Sequence, residues 1–531
     1  MSYTQNLKPF QRNRFLPALI MFSVLGALLF MPVTSWAQPV DEDAQEVRSI
    51  IEDIIELAES EATMNGMTLI TEGNISVKPS GSYFSVTTPD LSLNTNTGIT
   101  VDIGIIAMNL AKANKPGFWK TTIAYPQPVI LRKADGQETG RLNIGSQRFA
   151  GLWHEVSKQF LKFDGEFRNI SLSAATGGAG PLKIGSFKML IDLEEGSDGL
   201  YSGPARYEFN DFEIIGEDGT INIEQIVMDA TLDGYDINEA MIVRDDITQR
   251  LERLYDPSAP AVSDQERFET HNIVMNALGN LLRGFSAEFR ISGLDINIPT
   301  QDGADRIDVR LGKIGFGVGM NNIGRETTDI NWNMGYSELS SPAIPQKFDQ
   351  YVASTANINM KFENLPLSQL FEMGGEMALN AEPENKQNAA MQAAMMMPQI
   401  LSQSGAVVDI SDTYIGNEIY RFDVDALVVA DATAAHQATV DANISLKGLD
   451  TLLTSLQQTA QATQDPGQKA QISQSIQALS MVQLFGQQSP ENPAIRNYNI
   501  VVDKQGQVLI NGASLQQLMS GGPQGGPGAG P

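Results

Sequence analysis

The sequence predicts an α+β protein: a long, twisted antiparallel β-sheet of repeated hairpins, with helical hairpins packed on its concave face. Three observations predict it. Apolar and polar residues alternate with period two in one segment after another, and clusters of Gly, Pro, Asn, Asp and Ser separate those segments. At a few intervals the spacing changes to three and four residues, the period of an amphipathic helix. A chain of 531 residues is long enough for roughly two to four domain-sized units with substantial cores.

The first 37 residues carry an export signal. Lys8, Arg12 and Arg14 form a basic region, an uncharged apolar run follows from Phe15 to Val33, and Ser35-Trp36-Ala37 places small residues where a signal peptidase reads. Cleavage is predicted after Ala37. The alternative is an uncleaved anchor in the inner membrane facing the periplasm, since the run is almost long enough to span a bilayer. Arg12-Asn13-Arg14 resembles a twin-arginine signal, but Asn13 splits the pair. No second long apolar segment follows, so no stable transmembrane segment is expected after cleavage.

Between 41 and 64, Val47, Ile50, Ile51, Ile54, Ile55 and Ala58 recur at helical spacing with acids on the other face. From Met67 the period is two: Ile75-Ser76-Val77, Phe84-Ser85-Val86, Leu91-Ser92-Leu93 and Ile99-Thr100-Val101 read as antiparallel strands with one wet face. Asp211-Phe212-Glu213-Ile214 and Asp295-Ile296-Asn297-Ile298 look like copies of one hairpin unit, as do Glu166-Phe167-Arg168 and Glu288-Phe289-Arg290. Helices are expected over 237–254 and 270–285, and two longer helical stretches over 367–403 and 451–485, broken near Glu382-Pro383 and at Asp465-Pro466-Gly467. Ala356-Asn357-Ile358-Asn359-Met360-Lys361 matches Ala442-Asn443-Ile444-Ser445-Leu446-Lys447, and each precedes one of these longer stretches. The expected organisation is a signal peptide (1–37), an N-terminal helix and β-meander (38–235), a helical hairpin with strands (236–345), two β-αα-β repeats (346–435 and 436–519) and a disordered Gly/Pro tail (520–531).

This arrangement resembles exported bacterial proteins of the YdgA-like type and, more distantly, AsmA-like envelope proteins. The features that carry the resemblance are the signal segment, Ala442-Asn443-Ile444-Ser445-Leu446-Lys447 leading into helices, and the closing hairpin Asn499–Asp503, Lys504–Gln507, Val508–Gly512. The AsmA-like resemblance implies an elongated β-groove able to hold lipid and a role in the cell envelope. The helical insertions depart from that pattern, as does the loss of an anchor if cleavage occurs. No functional residue transfers from it.

Composition excludes several functions. With 36 Lys+Arg against 63 Asp+Glu the net charge is −27, so no nucleic-acid partner is expected. Removing residues 1–37, which hold three basic and no acidic residues, takes it to −30. The absence of Cys removes disulfides, thiolate nucleophiles and Cys-ligated metals. No G-x-S-x-G elbow, H-E-x-x-H, phosphate loop or EF-hand is present, so no enzyme, cofactor or metal site is expected. Gly315-Phe316-Gly317-Val318-Gly319 precedes no helical pattern and reads as a strand with close packing. His154, His271 and His436 are scattered; His154 neighbours Glu155, but adjacent residues do not face each other. The acids of 192–199 read as a charged hairpin tip, with Ca²⁺ ligation as the alternative.

Met391, Met395, Met396 and Met397 are the candidate surface for an apolar ligand or partner, because thioether side chains adapt to apolar shapes. Core filling is the competing role, though a run of three methionines cannot all face one way. The expected function is a non-enzymatic periplasmic envelope protein that binds a lipid-like or other apolar molecule, or a partner protein, in a β-groove. The alternative is an assembly factor that engages envelope proteins through sheet edges, and a carboxylate-based hydrolase ranks last.

Overall fold

The computed structural model describes residues 42–174, 182–216, 219–240, 263–299, 306–342, 346–380 and 386–514, with a few isolated residues between them. The predicted signal segment and the Gly/Pro tail lie outside these. The chain divides into two compact units, one formed by Met1–Tyr255 with Phe289–Asp308, the other by Asp256–Glu288 with Val309–Pro531. All described strand pairings are antiparallel.

In the first unit, helix α1 (Glu42–Met64) precedes β1 (Thr68–Glu72), β2 (Ser76–Ser80), β3 (Tyr83–Asn94) and β4 (Ile99–Lys112). Val47, Ile50, Ile51, Ile55 and Ala58 of α1 are buried in one cluster with Val86, Leu91, Leu110 and Trp119. Each buried Val, Ile or Leu side chain contributes about 1.5–3 kcal/mol by leaving water, which fixes the amphipathic stripe on the sheet. β5 (Phe118–Ala124) and β6 (Val129–Lys133) together occupy one strand position between β4 and β7 (Glu138–His154). At the break between them, the Gln147 side-chain amide accepts from the Tyr125 N–H at 2.9 Å and donates to its carbonyl at 2.7 Å. A side chain thereby replaces the missing ladder bonds.

β8 (Gln159–Ala174), β9 (Leu182–Asp192), β10 (Glu194–Glu195), β11 (Tyr201–Gly216) and β12 (Gly219–Tyr235) continue the unit, and β13 (Gly284–Pro299) joins it from Phe289 onward. A line of special residues crosses these strands. Gly145 faces Asn169, Asn169 faces Gly185, and Asp211 lies between Gly185 and Glu224, the flanking pairs on both sides keeping one register. Asn169 (φ 53°), Asp211 (φ 54°) and Gly293 (φ 63°), which lies against Glu224, are left-handed. On each strand the buried parity inverts at this line: Phe167 is followed by Ile170, Phe187 is preceded by Ile184, and Phe209 is followed by Phe212. Three-residue spacing keeps all of them on one face. There Phe167, Phe187 and Phe209 stack across strands, with centroids 6.1 and 4.2 Å apart. Glycine is required at 185 because a Cβ would sit 2.9 Å from that of Asp211.

The second unit contains α2 (Asp264–Leu281), β14 (Arg306–Asn321, from Val309), β15 (Thr328–Ser337), α3 (Gln346–Asp349) and β16 (Thr355–Leu365). Next come α4 (Leu367–Asn380), α5 (Lys386–Ser404), β17 (Val407–Gly416), β18 (Arg421–Ala430) and β19 (Ala438–Lys447). The chain continues with α6 (Leu449–Ala462), α7 (Pro466–Phe485), β20 (Gln487–Gln488), β21 (Ile495–Val502), β22 (Val508–Ile510) and β23 (Ala513–Ser514). α2 starts earlier than its apolar stripe predicts, because the Ser263 hydroxyl accepts from the Glu266 N–H at 3.1 Å and caps the helix. It ends before Phe285, since β13 begins at Gly284. Most of the expected helix over 237–254 lies outside the described residues; at its start the Asp236 carboxylate accepts from the N–H groups of Asn238 and Glu239. The break at Asp465-Pro466-Gly467 is where predicted: Asp465 caps α7, accepting from Gly467 and Gln468, with Pro466 in its first turn.

A β-branched side chain at a left-handed strand position costs about 1–2 kcal/mol. Asp211→Ile should therefore lower the unfolding free energy by about that amount, while Asp211→Gly changes it by less than about 0.5 kcal/mol. Urea unfolding followed by circular dichroism checks both; equal losses for Ile and Gly would contradict the assigned role.

Candidate functional site: the apolar face of the second unit

Strand registers in the second unit place apolar side chains directly opposite one another, strand after strand. Val318, Trp332, Met360, Ile410, Ala426, Ala442, Ile500 and Ile510 form one cross-strand row. Met320, Ile330, Phe362, Val408, Val428, Val440, Val502 and Val508 form the next. On the other side, Phe316, Met334 and Ile358 begin a third row, and Ile314, Tyr336, Ala356, Ile415, Phe422 and Leu446 make a fourth. At strand spacings of about 4.8 Å and about 6.7 Å per two residues, the patch measures about 34 by 20 Å. On the opposite face of β14–β16 stand Gly315, Gly317 and Gly319, Asn331, Asn333 and Gly335, and Asn357, Asn359 and Lys361. The glycine-rich run at 315–319 is thus a strand, its glycines on the polar side and Phe316 and Val318 on the apolar one.

A bulge in β17 preserves the face. Ile410 and Ile415 are five residues apart and would face opposite ways on a regular strand, but Asp412 (φ 52°) and a register shift bring both to the apolar side. The freed backbone groups find side chains: Asp425 accepts from the Asp412 N–H at 3.1 Å, Asn357 Nδ2 donates to the Asp412 carbonyl at 2.6 Å, and Thr413 Oγ1 accepts from the Asn359 N–H at 3.0 Å.

Part of this face is covered. Leu449, Leu453, Ile476, Leu479 and Phe485 of α6 and α7 pack on Phe422, Ile444, Leu446 and Tyr498. Over β14–β16 it is open: Phe316, Met334 and Ile358, mutual neighbours in one row, are 42%, 42% and 39% exposed. Isolated exposed hydrophobics are ordinary; three in register are not.

Met391, Met395, Met396 and Met397 lie on α5 and are 60%, 73%, 48% and 42% exposed, so none of the four fills a core. Phe371 of α4 and Met481 and Leu484 of α7 are exposed as well. The apolar row of Phe316, Met334 and Ile358 is set by registers between strands, which alternation along the sequence alone does not give.

His154 and the acids near 192–199 have structural partners. His154 Nδ1 lies 2.7 Å from Ser157 Oγ in a turn, with its ring 4.6 Å from that of Phe118. Burial and the Lys115 ammonium hold the His154 pKa low, so it is a neutral ring that closes a turn. His271 lies on α2, and His436 sits against Gly506 in a turn. Three acids of 192–199 are engaged by lysines: Lys162 reaches Asp192 at 2.6 Å and Glu194 at 3.2 Å, and Lys115 pairs with Glu195; Asp198 accepts from the Leu200 N–H at 3.3 Å. Among the described residues no group of three or more His, Asp or Glu gathers as a metal ligand set. A depression of about 560 Å³ opens in the first unit along the left-handed line, bordered by Asn169, Asp211 and Glu224, with Lys183 tied to Glu213 at 2.8 Å. No described helix is long and apolar enough to cross a membrane. The sequence matches no protein-family model and no curated protein.

Two carboxyls do meet, in the first unit. Glu155 faces Glu46 of α1, which also pairs with Lys112 at 3.0 Å; neither Glu46 nor Glu155 borders the depression just described. Burial, then the Glu46 charge, raises the Glu155 pKa above the ordinary carboxyl range, with the Trp119 ring N–H and Lys112 opposing. A carboxyl raised on folding favours the protonated folded state. Its stabilisation is full below the ordinary value and is lost as pH rises through the raised one. Glu155→Gln, which cannot titrate, should gain in melting temperature on the wild type as pH climbs through that window. Parallel melting curves against pH would contradict the pairing.

Proposed function

We propose that this chain is a non-enzymatic protein of the bacterial cell envelope, exported to the periplasm by residues 1–37, that binds a lipid-like molecule on the apolar face of its second unit. The observation that carries the reading is the open row of Phe316, Met334 and Ile358 within a face whose cross-strand rows are otherwise apolar. In this reading that face is the concave side of the sheet, the helical hairpins lie over it, and the exposed methionines of α5 extend the apolar surface. Burying apolar surface gives about 25 cal/mol per Å² before the costs of association, so a few hundred square ångströms suffice to hold an acyl chain. The reading is in keeping with the β-groove that the AsmA-like resemblance implies. A mature charge of −30 also disfavours adhesion to an anionic lipid surface, which favours uptake of single molecules.

Edge-to-edge engagement of envelope proteins has less support. β1 and β2, which both pair with β3, are five residues each, and β2 carries Pro79, which has no N–H to offer a client strand.

Native mass spectrometry of the protein purified gently from its own periplasm, with solvent extraction and lipid analysis, tests the reading. A lipid adduct near one-to-one is expected. Met334→Asp should abolish it without unfolding the protein, since that side chain is already 42% exposed. Met391→Asp with Met395→Asp should weaken it. A clean apo mass together with a lipid-free extract would count against the proposal.

A further inference from the structure

The α6–α7 hairpin is joined to the sheet along one margin only. The chain leaves β19 at Lys447 and returns beside it in β21, where Lys447 pairs with Ile495 and the Gly448 N–H donates to the Ala494 carbonyl at 3.0 Å. Both junctions are glycines. Gly448 is left-handed (φ 75°), and a Cβ there would collide with the Ile419 carbonyl. A Cβ on Gly486 would meet the Tyr498 ring hydroxyl. Two helices that enter and leave at neighbouring points, each through a glycine, can swing about that margin with few dihedral changes.

Discrete polar ties hold the hairpin down. Near the margin, Arg496 donates to Asp450 Oδ1 at 3.2 Å and Gln483 Nε2 donates to the same oxygen at 2.6 Å, joining β21, α6 and α7. The Tyr498 hydroxyl donates to the Val482 carbonyl at 3.0 Å, and Asn511 Nδ2 to the Phe485 carbonyl at 2.8 Å. Farther along α6, the Tyr351 hydroxyl meets Ser455 Oγ at 2.9 Å and Thr459 Oγ1 at 2.6 Å. Beneath, the hairpin covers Phe422, Ile444, Leu446 and Tyr498, which continue the face left open at Phe316, Met334 and Ile358. α7 has no fully buried residue, so its grip is light.

We propose that the α6–α7 hairpin is a lid, hinged at Gly448 and Gly486 and latched at its far end by the Tyr351 hydroxyl, that opens to extend the apolar face. Its use for a ligand rests on the lipid reading above; its hinge and latch do not. The latch is polar and the covered surface apolar, so an acyl chain competes with Leu449, Leu453 and Ile476 for the sheet and leaves the Tyr351 tie to be broken by thermal motion.

The chain has no cysteine, so one reporter thiol suffices. Ala460→Cys places it on the buried side of α6 and Ala58→Cys on the buried side of α1, at 8% and 1% exposure in the parent protein. Maleimide labelling is followed for each in the full mature chain, with Tyr351 intact and with Tyr351→Phe. Losing one hydroxyl tie should speed labelling at 460 about fivefold and leave 58 unchanged. No change at 460, or an equal rise at both sites, overturns the lid. In a second arm, sodium oleate below its micellar concentration should speed labelling at 460 in the protein with Tyr351 intact. A Tyr351→Phe effect with no oleate effect keeps the lid and removes the apolar ligand.

Discussion

The constraint on which this structure depends is the parity of a β-strand: successive side chains point to opposite faces, and one slip exchanges wet for dry. Strands of ten to seventeen residues, such as β7, β14 and β17, must hold one apolar face through many turns of alternation. The chain solves this in two ways. In the first unit, Asn169, Asp211 and Gly293 take left-handed conformations in one line and invert the parity of neighbouring strands together, so no register is lost. In the second, the bulge at Asp412 adds a residue to β17 alone and restores the face by a register shift. Asn and Asp are the non-glycine residues that tolerate that conformation best.

The two units use their apolar faces differently. In the first, α1 and stacked phenylalanines bury the face almost completely; Trp119, Trp153 and Phe167 are each 1% exposed. In the second, the α6–α7 hairpin covers only part of it, and Phe316, Met334 and Ile358 remain exposed. A sheet face that buries itself needs no ligand. One that stays open loses hydrophobic stabilisation, and a bound apolar molecule would supply it, which links the packing to the proposed function.

Much of this was legible in the sequence, for identifiable reasons. Period-two alternation marked the strands, and the stripe Val47, Ile50, Ile51, Ile55 marked α1 because both patterns are set by backbone geometry alone. Pro466 after Asp465 marked the helix break, because the cap and the fixed proline φ act locally. The parity inversions are not marked by residue type, since Asn169 and Asp211 look like ordinary wet-face residues. Their signal was the three-residue gap from Phe167 to Ile170 and from Phe209 to Phe212, and the repeated Ile-Gly-Ser at 144–146 and 184–186. The start of α2 is not marked by its apolar stripe, because the Ser263 cap precedes that stripe by several residues. The continuous face was not legible at all: it requires knowing that Met334 stands between Phe316 and Ile358, and registers between strands are nonlocal. The four methionines stood out by composition, but their exposure depends on how α5 packs.

The central claim, that an apolar ligand lies on the sheet face of the second unit, is tested most directly by fluorescence quenching. Trp332 stands on that face, its ring 6.2 Å from Phe316, whereas Trp119 and Trp153 are buried in the first unit and Trp36 lies in the predicted signal segment. Titration of the protein with a phospholipid brominated along its acyl chain should quench the Trp332 emission, and a Trp332→Phe variant should show no quenching. Quenching that survives in the variant, or none in the native protein at saturating lipid, would contradict the account.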